Sequence, residues 1–143
     1  MTISTKRVYD SPSRTDGARV LVDRLWPRGI SKDAAKLTAW LKALAPSDGL
    51  RKWYHARPSQ WLAFRSEYLE ELRAPEASAA LEQLYDLAED HNHVTLLFAS
   101  RNLDKNNATV LKELLDGTRK PPAASGAVRA AAAKRGRARV PRT

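Results

Sequence analysis

Residues 19–29 read Arg19-Val20-Leu21-Val22-Asp23-Arg24-Leu25-Trp26-Pro27-Arg28-Gly29, and the fold turns on this run. Between Val20 and Trp26 the apolar residues are interrupted only by Asp23 and Arg24, and the run then meets Pro27 and Gly29. That pattern predicts a buried strand ending in a tight loop. In an open α/β sheet the loops at the carboxyl ends of the strands line the ligand crevice. Asp23, Arg24 and Arg28 are therefore the first candidates for chemistry. A plainer role is equally open to them: Asp23 and Arg24 pair with each other or tie down loop backbone while Trp26 fills core.

A length of 143 residues suits one domain. The chain has no cysteine, which removes a disulfide framework, a thiolate metal site and a cysteine nucleophile. Its opening, Met1-Thr2-Ile3-Ser4-Thr5-Lys6-Arg7, lacks an apolar signal-peptide core, and no stretch approaches the roughly 20 apolar residues that span a bilayer. The expectation is a cytoplasmic protein with no membrane association.

A net charge of +9 suggests a nucleic-acid partner until it is divided along the chain. Residues 118–143 contain Arg119, Lys120, Arg129, Lys134, Arg135, Arg137, Arg139 and Arg142 and no acid. Taking those eight from the twenty-five cations leaves seventeen against sixteen acids, so the body is nearly neutral. The last 26 residues are rich in Ala, Arg, Lys and Pro, with little to bury, and are expected to be a disordered basic tail following an α/β domain of residues 1–117.

Lys6-Arg7-Val8-Tyr9-Asp10 predicts a short first strand, and Ser11 to Gly17 a loop. From Ile30 to Ala45 the pattern is ambiguous: Leu37, Trp40, Leu41 and Leu44 fit a helical stripe, whereas Leu37, Ala39, Leu41 and Ala43 fit strand alternation. Pro46 then disfavours helix at Ala45, and Ser47 is a good N-cap for a helix through Leu50, Trp53 and Tyr54. Trp61, Leu62, Phe64, Arg65, Tyr68, Leu69 and Leu72 follow the spacing of a second helix. A third follows Pro75, with Ala77, Ala80, Leu81, Leu84, Leu87 and Ala88 on its buried stripe. Val94 to Ala99 reads as a central parallel strand, and the segment from Asp104 to Leu115 as a capped helix closed by Gly117. The loop Ser100–Asn107 is thus expected on the same rim as Arg24 to Arg28. The fold class is α/β, a small, mostly parallel sheet flanked by helices.

Lys6 to Asp10, Asp16-Gly17, Arg19 to Gly29, Ala45-Pro46-Ser47, Leu50-Arg51, Phe64-Arg65, Tyr68, Glu71-Leu72 and Leu96-Leu97 together resemble the YeaO-like branch of the bacterial domain-of-unknown-function 488 family. The resemblance covers about residues 5 to 116. It implies a small bacterial α/β protein and brings no activity with it. It also favours a strand for the segment holding Trp40 and Leu41. Where many relatives carry Asn-His-Ala at the start of the last helix, this chain has Asn106-Asn107-Ala108. An asparagine keeps a hydrogen bond but cannot replace a histidine's proton chemistry.

The strongest constellation in the body is cationic: Arg24, Arg28, Arg51, His55, Arg65 and Arg101. Arginine forks bind carboxylate or phosphate bidentately, and the helix after Ser47 offers free backbone N–H groups to an anion. Arg24, Arg28, Arg51, Arg65 and Arg101, with Ser47, Tyr68, Ser100, Asn106 and Asn107, outline an expected site for a small anionic or phosphate-bearing ligand, with Asp23 and His55 as candidate acid–base groups. Against this, Arg51 and Arg65 could pair with Asp48, Glu67, Glu70 or Glu71, and His55 could simply finish its helix. The alternative reading is non-specific binding of DNA or RNA through the basic tail. A third is an interaction domain in which Trp53, Tyr54 and Trp61 form an exposed apolar patch. His91 and His93 precede their strand and lie at the opposite end from the crevice, so no metal is expected, and no cofactor motif is present.

Overall fold

The computed structural model describes residues 1–117; the expected tail, with its eight cations, lies outside the described residues. Met1–Glu113 is one compact unit that carries the whole sheet. Four parallel strands, β1 (Thr2–Arg7), β2 (Ala18–Leu21), β3 (Ala39–Trp40) and β4 (His93–Phe98), lie in the order β1-β4-β2-β3. The helices are α1 (Lys32–Ala35), α2 (Asp48–Ala56), α3 (Trp61–Glu71), α4 (Pro75–His91) and α5 (Asn107–Gly117). Single 3₁₀ turns occupy Arg14–Asp16 and Lys42–Leu44. The expected α/β class with a parallel sheet and flanking helices is the observed one.

β2 and β4 occupy the centre and are buried along almost their whole length, which is why both read as apolar runs. Val20 pairs with Leu96, and Leu21 with Leu97. Alternation sends the second pair to one face, where Val8 joins it and Trp26, Ile30, Leu37 and Trp40 pack against the cluster. α4 packs on β2 and β4, burying Ala77, Ala80, Leu84 and Ala88. Pro75 stands in its first turn, where a missing N–H costs nothing.

Several boundaries differ from expectation, each for a local reason. β1 begins at Thr2, four residues before the expected start, and Tyr9 and Asp10 lie in a turn closed by the Asp10 N–H on the Arg7 carbonyl. Its β-branched Thr2, Ile3 and Thr5 were the available signal. β2 stops at Leu21, so the remainder of the expected strand up to Trp26 is loop, and Leu25 is exposed. The ambiguous segment is split among α1, the two-residue β3 and a 3₁₀ turn, with the strand falling at Trp40. Leu62 does not join the α3 stripe; it is 78% exposed, while Phe64 and Tyr68, four residues apart, are buried. α5 starts at Asn107 rather than after Asp104, because the Asn102 side chain accepts from the Asp104 and Lys105 N–H groups and holds that stretch in a turn.

The entry to β2 is a buried ionic knot. Asp16 accepts from Arg19 at 2.6 Å and Lys6 at 3.1 Å, and from the Ser13 N–H, while the Arg19 guanidinium also donates to the Ala35 carbonyl. Gly17 follows with φ 67°, and a Cβ there would sit 2.2 Å from the His93 carbonyl oxygen, so only glycine lets β2 approach β4 at that point. Burial works against the Asp16 charge, but its hydrogen bonds from Ser13, Lys6 and Arg19 outweigh it and hold the carboxyl below the usual range. A depressed folded-state pKa contributes stability that is present above the unfolded carboxylate value and is lost as pH falls through the folded one. Asp16→Asn is therefore expected to lower stability at pH 7 by about 3 kcal/mol, with the gap to the parent closing in acid; urea midpoints between pH 7 and pH 2 test this.

Candidate functional site

The expected site falls where β2 and β4 end side by side. Asp23, two residues past β2, turns its carboxylate toward the end of β4: Oδ2 accepts the Ala99 N–H at 2.8 Å and Oδ1 accepts the Asn107 amide at 3.0 Å. The same Asn107 amide donates to the Val22 carbonyl, and the Asp23 carbonyl accepts the Trp40 indole N–H at 2.7 Å. One residue thus joins the ends of β2, β3 and β4 to the start of α5. The expectation that Ser100–Asn107 shares a rim with Arg24–Arg28 follows directly from these contacts. Asn106 caps the helix, accepting the Thr109 N–H and donating to the Asn102 carbonyl.

Burial raises the Asp23 carboxyl above its usual range, and the Ala99 N–H, the Asn107 amide and the Arg51 charge pull it part of the way back. Tyr68 lies in the same field. It is fully buried, donates to the Leu44 carbonyl, and its hydroxyl is pushed well up by burial and by the Asp23 and Glu71 charges.

Much of the expected anion site is occupied by the protein itself. Ser47 caps α2 by accepting the Leu50 N–H, but its own N–H and Oγ–H both donate to the Glu71 carboxylate at 2.8 and 2.6 Å. An internal carboxylate therefore sits at the helix N-terminus where an external anion was expected. Arg24 spends its fork on the Pro46 and Ala45 carbonyls at 3.5 and 3.3 Å. Together with Tyr68 and Glu71 it engages every residue from Leu44 to Ser47, the link between β3 and α2. Arg65 pairs with Glu113 at 3.0 Å, a partner 48 residues away that helical spacing could not nominate.

The remaining candidates are exposed. Arg28 and Arg101 make no hydrogen bond or ion pair among the described residues, and Arg51 is held only loosely by Asp48 at 3.5 Å. Ser100 lies in the loop, its carbonyl accepting from Arg7 and its Oγ from the Asn102 N–H. His55 stands exposed on the last turn of α2, with no contact to Asp23 among the described residues. Of the three aromatic residues expected as a patch, two pack α2 on α3: Tyr54 stacks on Phe64 at 4.3 Å, Trp61 on Phe64 at 5.8 Å, and the Tyr54 hydroxyl donates to the Lys105 carbonyl, while the Trp53 ring lies under the Arg57 guanidinium at 5.3 Å. His93 hydrogen-bonds Ser4 at the far end of the sheet, and no group of metal-binding side chains occurs among the described residues. Arg7, whose guanidinium donates to the Ala99 and Ser100 carbonyls, was missed by the sequence reading.

Residues 2–129 match a family model described as the inactive DUF488-N3 subclade. An uncharacterised protein of Mycobacterium tuberculosis is 44% identical over 115 residues, covering 80% of this chain and 94% of its own length. The uncharacterised protein YeaO of Escherichia coli is 43% identical over 115 residues, covering 80% and 97%. No solved structure matches the chain.

Removing the amide that serves both Val22 and Asp23 leaves a buried carbonyl and a half-buried carboxylate short of a donor. Asn107→Ala is expected to cost about 1–3 kcal/mol in urea unfolding, and to move the Asp23 carboxyl further upward when its carbon chemical shift is followed against pH.

Proposed function

The chain belongs to the inactive DUF488-N3 subclade, and from its site we propose that it is a cytoplasmic protein that binds a small phosphate- or carboxylate-bearing ligand at the carboxyl edge of the sheet without reacting with it. The observation that carries this reading is the pair of exposed guanidinium groups, Arg28 and Arg101, one on each of the two loops that meet at Asp23. Arg24, Arg28, Arg51, Lys52, Arg101 and Lys105 outnumber Asp23, Asp48 and Asp104 in these loops and the first half of α2, so the rim favours an anion. Guanidinium forks match the planar geometry of carboxylate and phosphate oxygens.

Binding without turnover is supported by the state of the would-be acid–base groups. Each Asp23 oxygen already accepts a hydrogen bond, the Asn107 amide has no acid–base group for the ordinary pH range, and His55 makes no hydrogen bond or ion pair with Asp23 among the described residues. With full-length protein and inorganic phosphate, backbone amide shifts in residues 24–30 and 99–106 are expected to saturate. Arg28→Ala and Arg101→Ala should each weaken that binding at least several-fold while leaving the melting temperature unchanged, whereas Arg24→Ala should lower the melting temperature. Unmoved loop amides at saturating phosphate would remove the reading.

A second reading rests on composition alone. The eight cations and absent acids of residues 118–143 suit a polyanion. If all eight contacted B-DNA, the limiting slope of log K against log salt would be about −7. Truncation after Gly117 is expected to abolish that slope in a duplex-binding salt series; a slope retained by residues 1–117 would assign nucleic-acid contact to the body.

A further inference from the structure

Five large apolar side chains are markedly exposed among the described residues, and two of them stand on the rim just described: Leu25 and Leu103, each 59% exposed. A lone exposed leucine needs no explanation. These two differ in being held outward by anchored neighbours. On one side of Leu25 the Arg24 fork is fastened to the Ala45 and Pro46 carbonyls. On the other the Trp26 indole donates to the Ile30 carbonyl at 2.7 Å and sets its ring edge against Trp40. Leu103 sits at the apex of a turn that the Asn102 side chain closes by accepting from Asp104 and Lys105, and the Asn106 amide fastens the Asn102 carbonyl from behind.

Each leucine also lies close in sequence to an unpaired guanidinium, Leu25 three residues before Arg28 and Leu103 two after Arg101. The two loops therefore repeat one composition, an exposed apolar side chain within three residues of an exposed cation, and they are joined at Asp23. Two ordered leucines would gain from being covered, and two guanidinium groups call for an anion.

Resting on the anion-binding reading above, we propose that the ligand of this rim is a soluble amphiphile: an anionic phosphate or carboxylate head for Arg28 and Arg101, attached to an apolar body that covers Leu25 and Leu103. A bare oxyanion would satisfy only half of the surface.

The test uses the full chain, with loop amides read by NMR so that any binding elsewhere is separated. The probes are inorganic phosphate and n-octyl phosphate kept below its micellar concentration. The octyl ester is expected to bind these loops about ten-fold more tightly or better, since each buried methylene adds favourable transfer free energy. A Leu25→Ser/Leu103→Ser double variant should lose that preference while retaining its phosphate affinity. Equal affinities for the two probes in the parent, or a preference that survives in the double variant, would overturn the proposal and leave anion binding standing. Failure of both probes to move the loops would overturn both. Sedimentation with anionic phospholipid vesicles, when monomeric octyl phosphate leaves the loops unmoved, would also overturn it, because the apolar face would then serve a membrane surface.

Discussion

A single carboxylate holds the working edge of this protein together. A parallel sheet releases all its strands at one edge, and their ends have no hairpin to join them. Asp23 supplies the missing link by accepting from the backbone at the end of β4 and from a side chain at the start of α5, while its own carbonyl receives the Trp40 indole beside β3. Its hydrogen bonds offset part of the cost of burying the charge, and Arg51 adds to them from α2. The loops that leave β2 and β4 are tied to each other because these partners converge on that group.

The same edge shows how far a protein consumes its own cations. Arg24 serves the Ala45 and Pro46 carbonyls, Arg65 serves Glu113, Arg7 serves the β4 exit, and Glu71 fills the N-terminal position of α2. Each of these meets a need internal to the fold, in most cases a backbone or charged group that would otherwise lack a partner. Among the described residues, the arginines of this edge left without such internal work are Arg28 and Arg101, with Arg51 only loosely held, and the same two loops carry the exposed Leu25 and Leu103. Asn107 fits this division. Its amide serves the Val22 carbonyl and the Asp23 carboxylate.

The start of the stretch Arg19–Gly29 and the run Val94–Ala99 were legible as central strands with a charged rim because burial on both faces leaves an apolar signature, although the first of these strands ends at Leu21 rather than Trp26. The Ser47 cap, the Pro75 start and the Ser100–Asn107 rim were legible from local chemistry. Leu62 and the Asp104 helix start misled because periodicity reports a possible face and a possible beginning, whereas packing and the Asn102 turn selected the actual ones. β3 is two residues long, too short for any period, and exists because β2 offers it an edge.

By itself, then, the sequence determined the α/β class, the parallel sheet, the edge at which charge collects and the absence of any cysteine chemistry, since all of these follow from residue type and near-neighbour spacing. Only the tertiary structure decided which arginines are committed and which are free. Ser47 and Glu71 lie 24 residues apart, Arg65 and Glu113 48, and Asp23 and Asn107 84. Across such separations a charge in the sequence has many possible partners of opposite sign, and the choice among them is made when the chain closes on itself and brings one within hydrogen-bonding distance.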